Sequence, residues 1–215
     1  MSGSAAFSTP PTVFIVDDDP AMLDSVRLLL ESAGLSTECH SSARSFLDTY
    51  RTHRPGCLIL DVRMPEMSGL ELQELLAVRS VNIPMIFITG HGDVPMSVKA
   101  MKSGALDFLE KPFDDETLVF CVRQALEQDA HAREVEAQNS SVAVRFSRLT
   151  EREQEVMSLV VTGRSNKEIA LKLHCSHRTV EVHRSRLMAK MEAHTLPELV
   201  SMAAVCGLDT NQIST

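Results

Sequence analysis

The sequence predicts a doubly wound α/β domain on a five-stranded parallel sheet, followed by a small all-α domain of four helices. Three observations carry this expectation. Short strand-like runs alternate with helical periodicity as far as Gln128; several of those runs stop abruptly at polar residues beside Pro or Gly; and beyond Ser147 helix-start signals follow one another with no strand pattern between them.

Val13-Phe-Ile-Val16 is the first strand and ends at Asp17-Asp18-Asp19-Pro20. Met22, Val26, Leu29, Leu30 and Ala33 mark one face of a helix that Gly34 closes, with Asp19 as its N-cap and Pro20 in its first turn. Leu35 to His40 reads as the second strand, and Phe46, Leu47 and Tyr50 give helical spacing to Ser42 through Arg51. Cys57-Leu-Ile-Leu60 then delivers Asp61 to an end broken by Met64-Pro65 and Ser68-Gly69. An apolar run without polar alternation is a strand buried on both faces. Leu70, Leu72, Leu75, Leu76 and Val78 form the next helix, Pro84 to Thr89 the fourth strand, Val94 to Lys102 a short helix and Ala105 to Leu109 the fifth strand. Thr117 to Gln128 closes a first domain spanning residues 11–128. From Asp129 the periodicity fades and Gln138-Asn-Ser-Ser141 is a polar break, so residues 129–146 read as a linker, entered by a helical extension or else unstructured.

The chain of 215 residues fits two modest domains. No apolar stretch reaches the 18 or so residues that span a membrane, and Met1 to Thr9 has neither a basic start nor an apolar core. A soluble, cytoplasmic protein without membrane association is expected. Cys39, Cys57, Cys121, Cys175 and Cys206 show no C-x-x-C spacing, which predicts reduced thiols and no disulfide. His174-Cys-Ser-His177 lacks the second ligand pair of a structural zinc site and reads as helix surface. The net charge of −8 is unevenly divided: residues 1–130 carry 10 Lys/Arg against 19 Asp/Glu, whereas residues 131–215 carry 11 against 10. Within residues 164–190 seven basic side chains face two acidic ones, a local surface suited to a phosphate backbone.

In a sheet of order 2-1-3-4-5 the first and third strands are neighbours about 4.8 Å apart, and functional groups gather at the carboxyl ends. Asp61 alone is equally well read as a cap on the next helix. Beside Asp17 and Asp18 it joins a carboxylate group that repulsion disfavours unless a cation neutralises it, and hard oxygen ligands with room for water suit Mg²⁺. Thr89 adds a hydroxyl and Lys111 an ammonium from two further strand ends. This set suits phosphoryl transfer to Asp61 as nucleophile, with the metal and Lys111 neutralising phosphoryl oxygens and Thr89 hydrogen-bonding one of them. A cis Lys111-Pro112 bond would aim the lysine inward.

Asp17-Asp18, Asp61, Thr89 and Lys111, in this order and spacing, resemble the receiver domain of two-component response regulators over roughly Pro11 to Gln128. Ile88 to Met96 and Asp107 to Phe113 look like the FixJ-like group in particular. The resemblance implies a phosphoacceptor at Asp61, a sensor histidine kinase as donor, and Mg²⁺ held by Asp17, Asp18, Asp61 and the backbone carbonyl of Arg63. It also implies a switch in which Thr89 moves toward the phosphoryl group and the Phe108 ring rotates into the vacated space. Val94, Pro95, Met96 and Val98 would then supply apolar contacts for a two-fold dimer.

Beyond Ser147, Thr150-Glu-Arg-Glu153, Ser165-Asn-Lys-Glu168 and Thr195-Leu-Pro-Glu198 are capping boxes, and Ser176 is a fourth start. They predict helices near 151–161, 166–173, 177–191 and 196–206, closing one core in a domain over residues 147–209. The second and third helices lie at helix-turn-helix spacing around His174-Cys175-Ser176. With Val180, His183, Leu187 and Met191 inward, Arg178, Glu181, Val182, Ser185 and Arg186 form a face able to enter a major groove. Generic basic surface is the alternative for any one arginine. Phe146 to Leu208 is similar to the LuxR/NarL-type output domain, through Leu149 to Glu153, Gly163 to Ala170 and Arg178 to His183. The resemblance implies DNA contacts from Lys167, Arg178, Thr179, Glu181, Val182, Arg184, Ser185 and Arg186. Arg178 and Arg184 are expected on phosphates, and Glu181, Val182 and Ser185 at base edges. Many members carry Lys in place of Glu181; a glutamate can accept from cytosine N4.

Together these readings predict a transcription regulator rather than an enzyme: phosphorylated on Asp61, dimeric when modified, bound to a double-stranded DNA operator and acting as an activator with RNA polymerase. The rival is a Mg²⁺-dependent aspartyl-phosphate phosphohydrolase, which needs a substrate pocket that no insertion between the strands provides. A protein-interaction adaptor without nucleic acid is the third reading.

Overall fold

Every residue of Thr12–Val16 (β1), Gly56–Asp61 (β3) and Met85–Thr89 (β4) is buried, as strands covered on both faces must be. The computed structural model, which describes residues 10–90 and 100–208, places them centrally in an all-parallel five-stranded sheet. Its order is β2-β1-β3-β4-β5, as expected, with Ser36–His40 (β2) and Asp107–Glu110 (β5) at the edges. Strand side chains alternate between two cores. Phe14, Val16, Leu58, Leu60 and Phe87 pack with Phe46 of Ala43–Thr49 (α2) and with Leu72 and Leu76 of Gly69–Val78 (α3). Val13, Ile15, Cys57, Ile59, Ile86 and Ile88 pack on the other face with Val26 and Leu30 of Pro20–Ser32 (α1), and with Leu118, Cys121, Val122 and Ala125 of Asp115–Ser147 (α4). The fifth strand starts at Asp107 rather than Ala105. Residues 100–102 are helical, whereas Val94, Pro95, Met96 and Val98 lie outside the described residues.

α4 corrects one expectation. Gln138-Asn-Ser-Ser141 is helical rather than a break, within a single helix of 33 residues that begins in one compact unit, Met1–Ala132, and ends in the other, Arg133–Thr215. The physical reason is that the stretch holds neither Gly nor Pro, and its polar side chains bond along the helix: Gln138 Nε2 donates to Glu134 Oε1 at 3.5 Å and Arg145 Nη2 to Ser141 Oγ at 3.2 Å. Asp129 shows the same helix held at its receiving end. It is only 3% exposed, and its Oδ2 accepts from the Gly56 N–H at 2.9 Å. Gly56 has φ 153°, and a Cβ there would lie 1.9 Å from the Thr12 carbonyl oxygen, so only glycine lets β1 and β3 start side by side.

In the second unit Glu151–Val161 (α5), Asn166–Lys172 (α6), His177–Met191 (α7) and Leu196–Val205 (α8) enclose a core of Val156, Met157, Ile169, Val180, Leu187 and Leu199, among others. The capping boxes at Thr150 and Ser165 form reciprocally, and Ser68 with Glu71 forms another at α3. At α8 Thr195 accepts from the Glu198 N–H, but the Glu198 carboxylate reaches one residue further back, accepting from the His194 N–H at 2.7 Å. Glu153 is buried, and its Oε2 accepts from Thr150 N at 2.9 Å and from Lys190 Nζ at 2.6 Å, tying α5 to α7. Burial alone would raise the Glu153 carboxyl, but the Lys190 and Thr150 bonds outweigh it and hold the group below the usual carboxylate range.

Two stability tests follow from these buried carboxylates. Asp129→Ala leaves the Gly56 N–H buried without this acceptor and should cost about 1–3 kcal/mol in urea unfolding of the first unit; an unchanged urea midpoint would show that the bond contributes nothing. Because the folded Glu153 carboxyl is depressed, its stabilisation is present above about pH 4.5 and is lost as pH falls through the lower folded value. Glu153→Gln should therefore be less stable than the native chain at neutral pH, with the gap closing in acid. A gap that is independent of pH would remove the carboxylate from the acid response.

Candidate functional site

Four strand ends meet at one edge of a parallel sheet because all its strands point the same way. Asp17 follows β1, Asp61 ends β3, Thr89 ends β4 and Lys111 follows β5. Asp17, Asp61 and Thr89 are 4%, 7% and 2% exposed. Lys111 Nζ donates to Asp17 Oδ2 at 2.8 Å and to Asp61 Oδ1 at 2.7 Å, bridging two carboxylates that come from neighbouring strands. The remaining oxygens are also held: Asp17 Oδ1 accepts from the Asp19 N–H at 2.9 Å and Asp61 Oδ2 from the Arg63 N–H at 2.6 Å. Asp19 in turn caps α1 through the Ala21 N–H, with Pro20 in the first position. A cavity of about 300 Å³ is lined by Asp17, Asp18, Asp19, Asp61, Arg63, Thr89, Gly90 and Lys111. The sequence-derived acceptor, metal and lysine residues thus converge on one space. The Lys111-Pro112 bond is cis.

Burial, joined by the charge of Asp17, pushes the Asp61 carboxyl above its usual range, and the bonds from Lys111 and Arg63 only partly offset it. Burial would lower Lys111, yet its hydrogen bonds to Asp17 and Asp61 prevail and raise it. Among the described residues no three acidic side chains already converge as a preformed metal centre. The reason is visible in the geometry, since the Lys111 ammonium occupies the point between Asp17 and Asp61. The donors still fit a hard divalent cation: three carboxylates of Asp17, Asp18 and Asp61 line a polar cavity together with Arg63, and exceed the positive charge present. Such an ion would compete with Lys111 for Asp17.

Phe108 is half-buried on β5, paired in register with Phe87, and the two rings stack with centroids 6.4 Å apart. Gly69, which the sequence marks only as a turn signal, lies against the end of β3 beneath the site. A Cβ at Gly69 would lie 2.3 Å from the Asp61 carbonyl oxygen and 2.9 Å from Leu60 Cγ, so glycine lets α3 start against β3. Its presence directly after the capping Ser68, where glycine has no helix-starting merit, was the available clue.

In the second unit α6 and α7 are joined through His174, which has φ 50°, and the Arg152 guanidinium donates to the Leu173 carbonyl at the end of α6. Arg178, Glu181, Val182, Ser185, Arg186 and Lys167 are exposed, as a contacting face requires. Thr179 is half-buried, its hydroxyl 2.8 Å from that of the capping Ser176, and His177 Nδ1 lies 3.4 Å from Glu181 Oε1. His183, expected inward, is half-buried. Arg184 is also half-buried and donates to Asn166 Oδ1 at 2.9 Å. Asn166 carries no charge and no apolar periodicity, so nothing in the sequence pattern marked it.

Residues 13–123 match the family model of the response regulator receiver domain, and residues 147–203 match that of the bacterial regulatory proteins of the luxR family. The chain is 47% identical over 196 residues to the transcriptional regulatory protein FixJ of Azorhizobium caulinodans, an alignment covering 91% of this chain and 93% of that protein. To nodulation protein W of Bradyrhizobium diazoefficiens it is 43% identical over 211 residues, covering 98% and 93% of the two chains. Among solved structures, the response regulator StyR superposes with a TM-score of 0.82 at 44% identity, over 91% of this chain and 99% of that one. With one family model on each unit and relatives of this similarity along nearly its whole length, the chain belongs to the response regulators of transcription that pair a receiver domain with a luxR-family DNA-binding domain, in the group that includes FixJ.

Proposed function

We propose that Asp61 is the phosphoacceptor through which a sensor histidine kinase controls DNA binding by this chain. The observation that carries the reading is the Lys111 ammonium shared by Asp17 and Asp61 inside the cavity that Thr89 also lines. An Asp61 oxygen attacks the phosphorus, the bond from phosphorus to the kinase histidine breaks, and the negative charge of the transferred group falls beside Lys111. Asp17, Asp18, Asp61 and the Arg63 carbonyl would hold Mg²⁺, which would supply positive charge against the phosphoryl oxygens. Thr89 hydrogen-bonds one of those oxygens, and its movement frees space for the Phe108 ring, reshaping a surface on which two modified chains form a homodimer. The receiver occupies residues 11–128, the output domain residues 147–209, and the stretch between is a helical connection rather than a loose linker. The modified dimer binds a double-stranded operator in the cytoplasm and activates transcription with RNA polymerase. Arg178 and Arg186 on α7 and Lys167 on α6 meet phosphates, while Glu181, Val182 and Ser185 of α7 meet base edges beside Thr179. Phosphoryl transfer here is stoichiometric; steady hydrolysis of a small phosphate ester by catalytic amounts of the chain would replace this reading with a phosphohydrolase.

Asp61→Asn should remain folded, since it removes a buried charge, yet incorporate no label from acetyl phosphate in the presence of Mg²⁺. Native-level labelling of that variant would move the acceptor elsewhere. Glu181→Ala should change the preferred base at one operator position in selection from a randomised duplex pool, with binding otherwise retained. Selection of an unchanged site would take Glu181 out of base reading.

A further inference from the structure

Besides the core that Ile169 shares with Val180 and Leu187, two polar contacts mark the ends of α6. One is at the His174–Ser176 turn, pinned by the Arg152 guanidinium on the Leu173 carbonyl. The other lies at the opposite end of α6, where Arg184 Nη1 donates to Asn166 Oδ1 at 2.9 Å across 18 residues of sequence. Asn166 is the first residue of α6, directly after the capping Ser165 and directly before the exposed Lys167. Arg184 differs from its neighbours Arg178 and Arg186, which are exposed, in being half-buried. A planar guanidinium directed at an amide oxygen of the adjacent helix is a geometric fastener as much as a charge.

We infer that Arg184 is a positioning residue for DNA recognition: by holding Asn166 it sets how α6 crosses the recognition helix, and it does not itself bind phosphate. The inference rests on the DNA-binding reading above. The sequence reading expects Arg184 on a phosphate, together with Arg178. With its side chain committed to Asn166, Arg184 acts instead by presenting Lys167 on α6 and the exposed face of α7 as one surface of fixed shape. The crossing is then defined at both ends of α6 as well as by the buried Ile169 between them.

The two roles differ in how binding responds to salt. The full chain, activated with beryllofluoride and Mg²⁺, is titrated against a duplex recovered from a randomised pool over a series of KCl concentrations. Asn166→Ala and Arg184→Met should each weaken binding by about tenfold, the size of one lost hydrogen bond to a charged group, and the double variant should be no weaker than either single one. The slope of log Kd against log salt should stay at its native value in Asn166→Ala, which keeps every positive charge, and in Arg184→Met. A phosphate contact requires the Arg184→Met slope to fall by about one unit and Asn166→Ala to bind with native affinity; either result overturns the inference. Additive losses in the double variant also overturn it. If Arg184→Met fails to fold by circular dichroism, Asn166→Ala decides alone, since weakened binding at unchanged slope supports the inference and native affinity refutes it. A native chain that retains no duplex at low salt would instead overturn the DNA-binding reading itself.

Discussion

One ammonium between two buried carboxylates holds the functional edge of the sheet together. Lys111 reaches Asp17 and Asp61 from positions 94 and 50 residues away, so the bridge joins the edge strand β5 to the two strands at the centre. Without it, parallel neighbours would present unpaired like charges at the same height, an arrangement that burial makes worse. With it, the site is stable but not satisfied, because burial still holds Asp61 above the usual carboxylate range. A group that brings positive charge into the cavity, or one that converts the Asp61 carboxylate into an ester and moves its charge outward, relaxes that condition. The chemistry proposed for Asp61 and the upward push that burial exerts on its carboxyl both arise from its place at the closed end of β3.

The output unit uses charge differently, as internal fastening. Lys190 is bound to the buried Glu153, Arg145 donates to the Met191 carbonyl and pairs with Glu192, Arg164 pairs with Glu168, and Arg184 holds Asn166. Of the seven basic residues counted between 164 and 190, Arg184 and Lys190 are the half-buried ones and thus serve the frame, whereas the Arg164–Glu168 pair lies at the surface. Arg164, Lys167, Lys172, Arg178 and Arg186 stay exposed, the last two flanking the exposed, uncharged Val182 and Ser185 on α7.

Most of the architecture was legible because local and global signals agree. Uninterrupted apolar runs such as Val13 to Val16 and Cys57 to Leu60 require cover on both faces, which leaves parallel pairing and puts their carboxylate-bearing ends at one edge. Asp17, Asp61, Thr89 and Lys111 could be assembled from that rule alone. What escaped were interactions between residues distant in sequence that show no periodicity. Asp129 looked like the start of a linker because a single buried carboxylate on a polar helix face gives no pattern, and its partner is a backbone N–H. Gly69 looked like a turn because glycine is ambiguous until the opposing carbonyl is known. Gln138 to Ser141 looked like a break because polarity was read as punctuation, whereas helix termination needs a Gly, a Pro or an unsatisfied end, and α4 offers none there.

The reciprocal caps described for α5 and α6 have a meaning beyond the helices they begin. Each helix of the output unit carries its own start instruction within three or four residues, and the core that these helices share is drawn entirely from residues after Arg133. A segment that carries its own helix starts and its own core is the kind of unit that recombination can join behind a different partner domain.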